Sequence, residues 1–307
     1  GFEEFLSKCD GMFAIAIWDK KLKKLILARD RIGEKPLYYA QIINNNLKSI
    51  VFSSDIGSFT VLDKSKLIIN KLSLVEFINN GWIYGEKTIY EDVKKVMPGE
   101  MIEIYLSEKK DLIIQKKLYW EINHKNYDEI LDLSFQETTN KINNLLINVL
   151  EEQLYCEREK AIFFSGGIDS SLIAAISKKE FGEKINCITC GFSSELDSND
   201  FDETEHAENI CKYLNLTHIK RKVSAKDIID SLPKMASIFS EPFADISQIG
   251  TYLISKKARD NGIIVALGGD GGDELFGGYQ RYLSGPNLLR MKKIIPYFFV
   301  ESINKNL

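Results

Sequence analysis

The chain has 307 residues, 44% hydrophobic and 27% charged, with a formal net charge of −4. That length supports two domains with cores of their own, and the acid-leaning balance leaves no electrostatic footprint for nucleic acid or an anionic membrane. No apolar run is long and charge-free enough to span a bilayer, and five scattered cysteines do not make a secreted disulfide framework, so a reducing, cytoplasmic setting is expected.

The chain opens Gly1-Phe2-Glu3-Glu4, without an initiator methionine or a signal-peptide pattern, and reads as a fragment. Its first part is strand-rich. Met12 to Trp18, Leu25 to Ala28 and Pro36 to Ala40 are apolar runs, and Asn44-Asn45-Asn46 supplies a turn. Met97-Pro98-Gly99-Glu100 turns into an alternating strand, Met101 to Tyr105, which Lys109-Lys110-Asp111 ends. The polar stretch Glu121 to Glu129 follows, and a domain boundary is placed near residue 118. Ile142, Leu145, Leu146, Val149, Leu150 and Leu154 then keep a 3.6 period and predict an amphipathic helix. After it, the strand Ala161 to Phe164 leads through a glycine loop into a helix from Asp169 to about Lys179. Ile185 to Cys190 reads as strand, and Glu205 to Leu214 as helix with Ala207, Ile210, Cys211 and Leu214 inward. Lys226 to Phe239 and Gly250 to Asp260 read as helices, and Ile263 to Leu267 as a strand entering a second glycine loop. Apolar strands interleaved with helices predict a parallel sheet covered on both faces.

Several features take ordinary readings. Lys220-Arg221-Lys222 reads as a solvated edge. Cys187 and Cys190 are spaced CxxC, but residues three apart on a strand face opposite ways, so they read as small buried hydrophobes rather than metal ligands. Ile294 to Val300 is short and contains Pro296, and reads as core or interface.

Two loops carry the chemistry. Phe164-Ser165-Gly166-Gly167-Ile168-Asp169-Ser170-Ser171 lies at a strand C-terminus and opens a helix, where ligands bind in open α/β sheets. Glycine lets several N–H groups converge, and the helix start favours an anion. A Walker loop would place a lysine here. This loop has an aspartate, which implies Mg²⁺ between Asp169 and a pyrophosphate group. The plain alternative is a glycine turn with Asp169 and the serines capping the helix. The second loop runs from Gly268 to Tyr279 and packs glycines and acids too densely for a packing role. A carboxylate there would complete the metal shell begun by Asp169. EF-hand spacing is absent.

The first loop resembles the pyrophosphate loop of the N-type ATP pyrophosphatases, and the second, with Glu274-Leu275-Phe276-Gly277-Gly278-Tyr279, is similar to the second signature of the glutamine-hydrolysing asparagine synthetase family. Phe201-Asp202-Glu203, Glu241-Pro242-Phe243-Ala244-Asp245, Gly11-Met12-Phe13-Ala14, Trp18-Asp19 and the string Ala28 to Tyr39 match the same family in order. The resemblance implies an α/β fold. Residues 1–118 would be the β-rich C-terminal part of an Ntn-type αββα glutaminase domain. Residues 119–307 would be part of a parallel-sheet PP-loop synthetase domain.

It also implies the chemistry: an aspartate side chain attacks ATP to give an acyl-adenylate and pyrophosphate, and ammonia from glutamine displaces AMP to give asparagine. By correspondence Asp169 and Asp273 hold Mg²⁺. Ser165, Gly166, Gly167, Ser170 and Ser171 hold pyrophosphate, backbone near Phe163 and Cys190 receives adenine, and Gly268 and Gly269 flank the nucleotide. Asp270, where the family often has glutamate, is assigned the protons of amide formation. Glu241 and Asp245 are read as pocket, cap or ion-pair residues. Gly1 is not the family's N-terminal cysteine and Cys9 is no substitute, so the glutamine site is expected upstream of residue 1, and part of the synthetase site beyond Leu307. The chain alone is expected to be weak or inactive. Expected partners are ATP, aspartate and glutamine or ammonia, with no nucleic acid or membrane, and a homodimer is allowed for. The alternatives are the same chemistry on another carboxylate such as a sugar acid, a sulfur- or tRNA-modifying relative, and a non-catalytic nucleotide binder.

Overall fold

The computed structural model describes residues 1–44, 47–61, 67–109, 111–122, 133–182, 185–193 and 203–294. The Ile294–Val300 run after its first residue, Phe201-Asp202 and the turn at 45–46 lie outside the described residues. Contacts divide the chain into two compact units, Gly1–Asp132 with Asp230–Gln248, and Leu133–Ile229 with Ile249–Leu307.

The first unit holds two antiparallel sheets. β1 (Ala14–Asp19), β2 (Lys24–Arg29), β6 (Glu100–Leu106) and β7 (Leu112–Leu118) form one in the order β1-β2-β6-β7. β3 (Tyr38–Asn44), β4 (Leu47–Ser53) and β5 (Val93–Lys95) form the other, in the order β4-β3-β5. Strand alternation sets the layers, because successive side chains leave opposite faces. Leu27, Ile102 and Ile104 pack with Tyr39 and Val96 in one core. Ile26, Ala28 and Met101, one residue out of phase, pack with Leu6 of α1 (Phe2–Lys8). On the other sheet, Ala40 and Val93 pack with Ile56 and Phe59 of a 3₁₀ turn, and with Phe77 of α2 (Lys71–Asn80). The stack is therefore helix, sheet, sheet, helix, as the αββα expectation requires. α1, α2, β4, β5 and β7 are additions to the elements read from sequence.

The second unit is a four-stranded parallel sheet, β10-β9-β8-β11, with β8 (Lys160–Phe163), β9 (Asn186–Phe192), β10 (Thr217–Val223) and β11 (Val265–Leu267). One face packs Ile162 and Cys187 against α3 (Phe135–Leu154), α4 (Ile168–Phe181) and α5 (Thr204–Leu214). The other packs Ala161 and Ile188 against Ala258 of α7 (Gln248–Asp260). Both faces are covered, as the apolar strands demand. Lys220-Arg221-Lys222 lies in β10, the edge strand, where charge discourages further pairing. Lys220 pairs with Glu208 and Arg221 with Asp227. β11 is shorter than the apolar run suggests: Ile263 is buried before the strand, and Ile264 is 58% exposed. α6 (Ala225–Ile238) leads from this unit into the 230–248 segment.

Candidate functional site

The first glycine loop begins where β8 ends. Phe164 is buried and donates its N–H to Ile188 O on β9 at 2.8 Å, which anchors the loop's first residue to the sheet. Gly166 has φ +84, and a Cβ there would lie 3.1 Å from the Ala207 backbone of α5, so both conformation and space require glycine. Gly167 N–H donates to Ser165 Oγ at 3.1 Å, Ser165 Oγ lies 3.2 Å from Ser170 Oγ, and Ser170 Oγ donates to Gly167 O at 3.3 Å. α4 has Gly167 as its N-cap and no side-chain cap. That removes the plain reading of Asp169 and the serines as caps, and leaves the first-turn amides for a ligand. Ser171 Oγ is buried without a partner among the described residues.

The second loop follows β11, whose residues 265–267 pair in parallel with 160–162 of β8. Adjacent parallel strands therefore deliver both loops to one sheet edge. They touch there: a Cβ on Gly272 would lie 2.6 Å from Asp169 Cγ, and one on Gly269 would lie 2.9 Å from Asp169 Cβ. The Asp169 carboxylate rests on bare glycine backbone. Asp270 folds over Gly268, with Oδ2 2.7 Å from where a Cβ would be, and the Asp273 carboxylate lies against Gly278. α8 (Gly272–Phe276) runs between two left-handed glycines, Gly271 (φ +90) and Gly277 (φ +72). Tyr279 donates to Glu274 Oε1 at 2.9 Å, and the Arg281 guanidinium sits 4.1 Å from the Tyr279 ring centroid. Among the described residues, the carboxylates of Asp169, Asp270 and Asp273 accept no hydrogen bond.

Phe163 and Cys190 sit on neighbouring strands near the same edge, and Phe163 is paired with Ile188. Burial raises the Cys190 thiol pKa. All five cysteines are free, and no three His, Cys, Asp or Glu side chains gather to hold a metal among the described residues. A donor set of carboxylates completed by phosphate oxygens and water still fits Mg²⁺, which seldom uses an all-protein cage.

Of the roles expected for Glu241 and Asp245, the ion pair is found at Glu241, and Asp245 closes a turn. Glu241 pairs with Lys95 at 3.1 Å and accepts Ile89 N–H at 3.0 Å, and both side chains are under one-fifth exposed. It lines a cleft of ≈ 580 Å³ with Lys35, Tyr38, Asp55 and Trp82 in the first unit. Burial, then Glu241, pushes the Tyr38 phenol up to about 12. Asp245 accepts Ser247 N–H at 2.7 Å just before α7. Ala207, which packs under Gly166, and Thr189, which bonds Phe164 O, support the site without any motif. Their only sequence signal is a small residue at helical period and a threonine inside an apolar strand.

Residues 141–307 match the family model described as asparagine synthase, and residues 1–144 match the one described as glutamine amidotransferase domain. The glutamine-hydrolyzing asparagine synthetase 1 of Bacillus subtilis (strain 168) is 32% identical over 292 residues, which are 95% of this chain and 43% of that protein. The putative glutamine-hydrolyzing asparagine synthetase 2 of Methanocaldococcus jannaschii is 29% identical, over 93% of this chain and 53% of that protein. The chain thus spans about half the length of the curated relatives it matches. An NH3-dependent NAD synthetase from Campylobacter jejuni aligns with 48% of this chain and 61% of its own, at 21% identity and a TM-score of 0.31.

Proposed function

The chain belongs to the asparagine synthase family, and from that premise we propose that it carries the ATP-activating site of a glutamine-dependent, amide-forming ligase. One observation carries the reading: two glycine loops leave adjacent parallel strands, and the carboxylate of one rests on the backbone of the other. Asp169 and Asp273 would hold Mg²⁺, which when bound offsets the charge of the triphosphate. Ser165, Gly166, Gly167, Ser170 and Ser171 bind pyrophosphate through hydroxyls and first-turn amides, aimed where charge develops as the α–β bond breaks. Phe163 and Cys190 present backbone to adenine, and Gly268 and Gly269 let the nucleotide approach closely.

The acceptor carboxylate, aspartate in this reading, attacks the α-phosphorus, and the bond to pyrophosphate breaks. Ammonia then attacks the acyl carbon, AMP leaves, and the nitrogen gives up a proton, a role read for Asp270. The division between the two parts is read near residue 118, after β7. The 1–118 part is read as the amidotransferase portion, and glutamine as the ammonia source.

The test is the full-length protein with ATP, Mg²⁺, aspartate and ammonia. AMP and pyrophosphate in equal amounts, with asparagine, are expected. ADP and phosphate would overturn the mechanism. AMP formation only with another carboxylate, such as a sugar acid, would keep the mechanism and change the acceptor.

A further inference from the structure

Behind the first glycine loop lies a hydrogen-bond relay that no motif contains. Thr189 of β9 is 3% exposed, and its hydroxyl donates to Phe164 O at 2.6 Å. His218 of β10 places Nε2 2.7 Å from the same Thr189 Oγ1. A hydroxyl has one proton, and the carbonyl can only accept it. The His218 bond must therefore run the other way, with Nε2–H donating into the threonine oxygen. That fixes the ring as the Nε2–H tautomer and leaves Nδ1 with a lone pair. Nδ1 is buried and has no partner among the described residues, so a second proton there would find no acceptor. Burial, and then Lys220, hold the His218 pKa below its usual value, against the pull of Glu208. The ring also meets Phe164 edge-on, with centroids 6.5 Å apart at 81°.

Phe164 immediately precedes Ser165. Its N–H is tied to Ile188 O and its carbonyl to Thr189, so the residue is held at both ends. The peptide unit is planar and trans. Fixing the Phe164 carbonyl toward Thr189 of β9 therefore points Ser165 N–H the opposite way, toward the β11 side of β8 where the second glycine loop begins. We propose that His218, acting through Thr189, is a positioning residue for the first glycine loop, setting the Phe164–Ser165 peptide so that Ser165 N–H faces the bound phosphates. The proposal rests on the nucleotide reading of that loop. His218 touches no substrate in it, and the neutral ring is the working form.

The test uses the ¹⁵N-labelled chain and two readouts. The His218 imidazole should show the Nε2–H tautomer. His218→Leu and Thr189→Val should both shift the Ser165 amide resonance and weaken Mg²⁺–ATP binding about tenfold, the worth of one buried hydrogen bond. His218→Gln, whose side-chain amide can donate from the position of Nε2, should restore the resonance and bring binding within about threefold of wild type. A Ser165 amide unmoved by His218→Leu, or a glutamine variant no closer to wild type than the leucine one, would overturn the relay. Thr189→Val decides the case if His218→Leu does not fold. Should the full-length protein bind no ATP, the nucleotide reading falls, and the Ser165 resonance still judges the relay.

Discussion

Asp30 of the first unit and Asp169 of the second sit beside glycine turns at strand ends, yet their carboxylates meet opposite surroundings. Asp30 is 1% exposed and accepts four backbone N–H groups, from Phe13 at 3.3 Å, Gly33 at 2.6 Å, and Glu34 and Lys35 at 2.9 Å. Arg29 closes the same turn, donating to Lys35 O and Val96 O at 2.9 Å. Every lone pair of Asp30 is committed to the fold. Asp169 accepts nothing among the described residues, and it rests on Gly269 and Gly272, which offer space in place of donors. A buried carboxylate with its hydrogen bonds filled by backbone is a structural element. The half-buried Asp169 carboxylate, with no protein donor among the described residues, is the one proposed above to take a ligand.

The sharpest way to break this contrast is to neutralise each acid. Asp169→Asn should cut AMP formation by the full-length protein about a thousandfold or more, since charge placed at the reacting phosphate is worth several kcal/mol. Its melting temperature should stay within about 2 °C of wild type, because no protein donor loses a partner. Wild-type turnover by this variant would remove Asp169 from the site. Asp30→Asn should do the reverse. Buried N–H donors would face an amide that accepts on one side only, at a cost of about 2–4 kcal/mol in urea unfolding. A stable Asp30→Asn variant would end the claim that this carboxylate serves the fold.

A smaller change tests the cradle. Gly272→Ala places a methyl 2.6 Å from the Asp169 carboxyl carbon. The atom in the way is the far end of a side chain, which swings aside cheaply. Stability should hardly change, while AMP formation drops about tenfold as the carboxylate leaves its place, the usual penalty for a small displacement at a reacting centre. Loss of stability with activity retained would show Gly272 to be a packing position.

The contrast also marks how far the residues could be read unaided. The apolar runs around 161–164, 185–190 and 263–267, interleaved with helical periods, were enough for a parallel sheet covered on both faces, because periodicity reports burial. Glycine clusters at strand ends were enough to locate both loops. Asp30 stands in a family-like string, but nothing there tells that its oxygens accept from Phe13 and from Gly33 to Lys35, since those donors converge only when β1 and the turn fold together. The Glu241–Lys95 pair joins residues 146 apart in sequence, a separation that local spacing does not report. β10 was hidden by its own charges, because an edge strand need not be apolar. The relay through Thr189 and His218 crosses three strands or strand ends, a pairing that composition and spacing cannot encode.

The last and smallest effect separates Asp30 from the other acids by pH. Burial alone would raise its pKa, but the four backbone donors outweigh burial and hold the folded value below the ordinary 3.8. In acid the unfolded chain therefore takes up this proton first. The stabilisation from Asp30 is complete above the unfolded value and disappears as the pH falls from about 4 through the lower folded value. Urea midpoints of wild type and Asp30→Asn, followed from neutral pH downward, should keep a constant gap until that window and then converge. A gap that stayed open to the acid end would mean that the asparagine is penalised for its shape, and that the charge of Asp30 contributes nothing to holding the turn.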